Sequence, residues 1–132
     1  MAQEVKYILV NPGVMSDDND LCYVCKVYDG YGGITIKEVN AVTGVAGTLD
    51  LILMKYGTSG TVAGATIAHT TNGTATVWAA DTPQSLTITS SQAYCSEGEW
   101  LVLKKHEAAA GNDLSTNASV VIAYVDGVVT DY

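Results

Sequence analysis

Cys22 and Cys25 bracket Tyr23-Val24 in a CxxC spacing, the arrangement in which two thiolates can hold zinc or exchange electrons. That chemistry needs a tight loop or a helix start to aim both sulfurs at one point. The flanking Leu21, Tyr23, Val24, Val27 and Tyr28 read instead as strand, where residues three apart point to opposite faces. Together with the isolated Cys95, the pair is expected to pack as free thiols, which behave as small hydrophobes. Asp17-Asp18-Asn19-Asp20 sets oxygen-bearing side chains side by side, so Asp17, Asp18 and Asp20 are the candidate calcium ligands. The run lacks the alternating ligands, glycine and distal glutamate of an EF-hand, and a solvated acidic loop is expected.

The remaining chemistry is thin. His69 lies among alanine and threonines and His106 between Lys105 and Glu107, far apart in sequence, so neither offers a base beside an identifiable nucleophile. Glu97 and Glu99 flank Gly98 and are expected to solvate a turn. Gly30-Tyr31-Gly32-Gly33 has neither the Lys-Ser/Thr nor the helix that a phosphate loop requires. Asn72-Gly73-Thr74 and Asn117-Ala118-Ser119 match the glycosylation sequon and are expected to stay bare without secretion. No catalytic residue, cofactor or metal is expected, and the chain does not read as an enzyme.

Composition narrows the class. The 132 residues suffice for one domain spanning 1–132 with a core that needs no disulfide, and 48% hydrophobic residues exclude a disordered chain. Six Lys and Arg against fourteen Asp and Glu give a net charge of −8, which repels nucleic-acid backbones. Lys104-Lys105-His106 is the one basic cluster. No apolar run approaches the roughly 20 residues of a membrane-spanning helix. The start, Met1-Ala2-Gln3-Glu4-Val5-Lys6, lacks the pattern of a secretory signal, so synthesis in the cytoplasm is expected.

The elements that must position any site are strands. In Thr48-Leu49-Asp50-Leu51-Ile52-Leu53-Met54, Leu49, Leu51 and Leu53 share one parity and predict a half-buried strand. Ile52 and Met54 fall on the opposite face, where a loop, the facing sheet or a neighbouring chain must cover them. Val5 to Val10 ends at the turn sequence Asn11-Pro12-Gly13, so residues 1–13 read as an N-terminal arm or an edge strand. Leu21 to Tyr28 and Ile34 to Val39 predict a hairpin. Thr61 to Ile67 is a strand thinned by Ala63, Gly64 and Ala65, open to close backbone approach. Thr74 to Trp78, Ser85 to Thr89, Trp100 to Lys104 and Ala118 to Val125 complete the set, with one helical turn expected at Glu107 to Ala110. About eight strands separated by glycine-rich turns predict an all-β, single-domain, two-sheet sandwich with jelly-roll connections.

Gly47 to Tyr56, Ser85 to Thr89, Gly98 to Leu103 and Ser119 to Val125 carry a pattern: Thr-Leu-Asp-Leu, a Gly/Thr/Ser turn, a Gly-Glu entry into a Leu/Val strand, and a valine-rich strand ending in Tyr-Val. In this the chain resembles small β-sandwich auxiliary structural proteins of tailed bacteriophages. The resemblance implies a capsid decoration or cement protein on the outer surface of the virion head. Its implied partners are the major capsid protein and copies of itself, as a trimer matching a local threefold position. Val5, Tyr7, Ile8, Leu9, Ile52, Met54, Tyr28 and Tyr31 are the candidate interface residues. Eight Tyr, two Trp and no Phe favour rings with a polar handle. A head-fibre or tail-associated module binding a host-surface glycan or receptor through the tyrosine-rich segment is therefore the alternative.

Overall fold

The computed structural model describes residues 4–13, 15, 20–28, 32–44, 47–57, 63–70, 76–107 and 118–128. In chain order the strands are β1 (Lys6–Val10), β2 (Leu21–Lys26), β3 (Ile34–Val42), β4 (Gly47–Tyr56), β5 (Ala63–His69), β6 (Thr76–Trp78), β7 (Gln84–Ser85), β8 (Thr87–Ile88), β9 (Tyr94–Cys95), β10 (Trp100–Glu107) and β11 (Ser119–Asp126), with a 3₁₀ turn at Ser90–Gln92. They form two antiparallel sheets. One has the order β1-β11-β3-β7, with β9 also on β3; the other has the order β2-β10-β4-β5-β8, with β6 also on β4. The chain passes repeatedly from one sheet to the other, giving the all-β two-sheet sandwich expected, with jelly-roll connectivity.

Strand parity builds the core. Leu51 and Leu53 of β4, Leu101 and Leu103 of β10, Val39 and Ala41 of β3, and Val120 and Ile122 of β11 all point between the sheets and are buried. Each leucine, valine and isoleucine among them contributes about 1.5–3 kcal/mol through removal from water. The two sheets are thus joined mainly by aliphatic packing. Trp78 and Met15 close this layer, both fully buried.

Three expectations change. The predicted hairpin of Leu21 to Tyr28 with Ile34 to Val39 does not form, because β2 pairs with β10 and β3 with β11, in different sheets. Both segments have an apolar inner face to bury, and placing them on opposite walls of the core buries both. The alternating Ser85 to Thr89 segment is also divided: Ser85 pairs with Asn40 in one sheet and Thr87 with His69 in the other. Leu86 lies buried at the crossing, its N–H donating to the Val39 carbonyl at 2.8 Å. The basic cluster is split as well, since Lys105 pairs with Leu51, is only 2% exposed, and sits on the core side while Lys104 pairs with Ile52 on the other face. The helical turn placed at Glu107 to Ala110 falls outside the described residues beyond Glu107, which is the last residue of β10.

The small-residue strand does take a close approach. A Cβ on Gly64 would overlap the Lys55 carbonyl oxygen, at the point where the β4–β5 register shifts between Met54 and Tyr56. The neighbour is β4 of the same sheet. Gly33 is constrained twice over: its φ is +78°, and a Cβ there would meet the Cys95 carbonyl oxygen at 2.5 Å.

Candidate interaction surface

The exposed large apolar side chains are unevenly placed. Of the seven among the described residues, Val5, Tyr7, Leu9, Leu21, Tyr23 and Tyr28 lie on or beside β1 and β2, and Val128 follows β11. β1 ends one sheet and β2 ends the other. The alternation that turns Ile8 and Val10 inward onto the core turns Tyr7 and Leu9 outward, 69% and 75% exposed.

On the outer face of the second sheet, Ile52, Met54, Tyr56 and Val102 form a separate apolar cluster with Trp100 packed against it. The pairings Trp100 with Tyr56, Val102 with Met54 and Val102 with Tyr23 bring these residues to one face. The Tyr23 ring meets Tyr56 and Trp100 edge-on, each at a centroid distance of 6.1 Å, the geometry that sets a ring's positive edge on its neighbour's face. Burial, and then the adjacent Tyr23, raise the Tyr56 phenol above its ordinary pKa. The cluster therefore runs from a covered centre at Val102 to a half-exposed rim at Tyr23.

Between β1 and β2 lies a cleft of about 410 Å³. Ile8, Val27 and Ile34 give it apolar walls, and Tyr28, Tyr124, Lys26 and the pair Lys6–Asp126 supply rings and charge. Lys6 Nζ donates to Asp126 Oδ2 at 2.5 Å, and this hydrogen bond raises the lysine's pKa. The cleft end of the sandwich is braced nearby. The Gly127 N–H donates to the Gly33 carbonyl at 2.9 Å, and Thr35 Oγ1 donates to the Gly127 carbonyl at 2.6 Å.

The structure distributes the expected interface residues unequally. Val5, Tyr7, Leu9 and Tyr28 are exposed on the β1–β2 side, and Ile8 is half-buried against the core. Ile52 and Met54 are covered within the chain, 4% and 8% exposed, and present little surface. Tyr31 lies outside the described residues, as do Asp17 and Asp18; Asp20 is half-buried, and its carbonyl accepts the Lys105 N–H at 3.0 Å. Among the described residues, no group of three or more His, Cys, Asp or Glu could hold a metal ion. Glu97 and Glu99 brace a turn: Glu97 Oε1 accepts the Gly32 N–H at 2.8 Å, and Glu99 Oε1 accepts the Ser96 N–H and hydroxyl, both at 2.7 Å. His69 is the last residue of β5, and its Nδ1 is buried without a hydrogen-bond partner among the described residues.

The roles of Trp100, Tyr124, Lys26 and the Lys6–Asp126 pair were not read from the sequence. They depend on joining residues far apart in sequence, 120 positions for Lys6 and Asp126, for which local pattern carries no signal. Comparison with protein-family models, curated proteins and solved structures returned no match.

Proposed function

We propose that this chain is a virion structural protein of the capsid decoration or cement type, attached to the outer surface of a phage head and working without catalysis. The observation that carries the reading is that exposed Val5, Tyr7, Leu9, Leu21, Tyr23 and Tyr28 lie on or beside the strands that end the two sheets, Tyr7 and Leu9 on the outer face of one and Tyr23 on the outer face of the other. Apolar, tyrosine-rich surfaces of this kind suit burial against another protein, where aromatic groups are enriched. The major capsid protein and further copies of this chain are the partners. The sequence resemblance to phage auxiliary sandwiches points the same way, and the net charge of −8 argues against a nucleic-acid role. The test is attachment: purified protein is mixed with heads lacking it, and bound copies are counted and located by electron microscopy. Saturable binding to the outer shell, weakened by Tyr23→Ala with Tyr28→Ala, supports the reading, and absence of binding to any head removes it.

A second reading is favoured by one observation. The cleft sets Lys6, Lys26 and Asp126 around Tyr28 and Tyr124, combining ring faces with hydrogen-bonding groups as a host-surface glycan or receptor would require. Glycan-array binding lost on Tyr28→Ala would select it over shell attachment.

A further inference from the structure

The strands that end the two sheets are not alike. β7, β8 and β9 are two residues long and β6 is three, while β2 and β5 both carry register shifts against their neighbours. Shortness and bulging are the usual guards of a sheet edge. Among the described residues β1 is the one edge strand longer than three residues whose register is unbroken, pairing with β11 from Lys6 opposite Tyr124 to Val10 opposite Val120.

The outer face of its sheet grades the wrong way for a protected edge. Far from β1 it is polar: Asn40 Nδ2 donates to Glu38 Oε1 at 2.8 Å, and Ser85 Oγ donates to Asn40 Oδ1 at 2.7 Å. Val121 and Ala123 follow on β11, opposite Leu9 and Tyr7, and the row ends in those two exposed side chains at the free edge. A solitary edge would reverse this order and put charge outermost. The nearby cation, Lys6, is already neutralised by Asp126.

We infer that β1 pairs antiparallel with β1 of a second copy across a twofold axis, joining two five-stranded sheets into one. Side chains directly opposite in such a pair share a face, so Tyr7 and Leu9 must meet outward-facing residues of the other copy. Registers with Tyr7, Ile8 or Leu9 on the axis all satisfy this. With Tyr7 on the axis, the two Lys6 side chains come diagonally close. With Ile8 on the axis, Lys6 faces Val10 of the second copy and the lysines separate. Ile8 is the middle residue of Lys6–Val10, so the register centred on it pairs all five residues of both strands, and in it each Tyr7 packs on Leu9 of the other copy, an aromatic–aliphatic cross-strand pair formed twice. Leu21, Tyr23 and Tyr28 lie outside this contact and are left for another partner.

The inference concerns the free protein and does not depend on attachment to a head. Sedimentation velocity of the full chain over a range of concentrations is expected to show a dimer of the 13.8 kDa protomer. Leu9→Lys and Tyr7→Lys, at exposed positions where the protomer's fold is not disturbed, are each expected to weaken dimerisation about tenfold or more while leaving far-ultraviolet circular dichroism unchanged. Amide exchange of β1 should slow on dimerisation and that of β2 should not. A monomer at all concentrations, a trimer, or a dimer indifferent to both substitutions overturns the inference. Shell attachment is scored separately on heads, so the failure of either proposal is recognised without the other.

Discussion

Cys22 and Cys25 stand opposite Leu103 and Leu101 of β10, so both thiols face the core from the same side of β2. Simple alternation places residues three apart on opposite faces. The register shift between Leu101 and Val102 restores the second cysteine to the inner face. The CxxC pair is thereby a packing feature, with burial raising both thiol pKa values.

Thiol reactivity follows from that placement. All three cysteines are free, Cys95 fully buried and the other two half-buried. At pH 8 the native protein is expected to react slowly with a disulfide-exchange reagent at Cys22 and Cys25, and at Cys95 only on unfolding. Mass spectrometry of the labelled sites checks the order. Labelling of Cys95 first would contradict the burial.

Alkaline pH should weaken the fold through Cys95. Burial is the largest cause raising its pKa, from 9.0 to about 12. Between these values the folded chain holds a proton that the unfolded chain has lost. This stabilisation is therefore full below about pH 9 and is lost as pH rises toward about 12, with a slope of up to about 1.4 kcal/mol per pH unit. Denaturant titrations at pH 8, 9.5 and 11 measure it. Cys95→Ala should lower stability at pH 8 yet flatten the decline above pH 9.

Two rows of apolar residues should respond oppositely to truncation. Ile52 and Met54 are covered by Tyr56, Val102 and Trp100, so Ile52→Ala or Met54→Ala is expected to cost about 2–4 kcal/mol. Leu9→Ala, at an exposed position, should change protomer stability by less than about 0.5 kcal/mol. Urea unfolding at concentrations where the chain is monomeric compares them. Equal losses at both rows would mean that the outer cluster is not packed as described.

Gly64→Ala should destabilise despite the exposure of the site. The added methyl meets the backbone carbonyl of Lys55, which cannot rotate away as a side chain could. A loss of about 1–3 kcal/mol is expected, the usual range for forcing atoms into occupied space. Thermal unfolding of the variant beside Gly57→Ala, where a Cβ meets nothing within 4 Å, isolates the steric part.

Much of the architecture was legible because alternation is local. Leu51 and Leu53 against Ile52 and Met54 defined a strand with two apolar faces, and both faces are buried. Pairing was not legible. Nothing in Leu21 to Tyr28 announces that its neighbour is β10 rather than β3, since register is set by side chains distant in sequence. Bulges hide for the same reason: one inserted residue reverses the parity of its strand beyond it, as at Cys25 and at Ile36. Among the site residues, Val5, Tyr7 and Leu9 could be proposed as surface from the arm or edge strand that ends at Asn11-Pro12-Gly13, and Tyr28 from its tyrosine-rich segment. The cleft could not, because Lys6 and Asp126 are brought together only by the pairing of β1 with β11.

That pairing also sets a timetable. β1 is made before every other described strand, yet its one neighbour among the described residues, β11, spans Ser119–Asp126. At about 5–20 residues per second, Tyr7 and Leu9 wait several seconds or longer beside a growing chain before their strand has a partner. Neither sheet gains its full hydrogen-bonded order early, and the five-stranded one is necessarily last. The same row of side chains suited to joining finished molecules is thus the one a nascent chain must be kept from joining too soon.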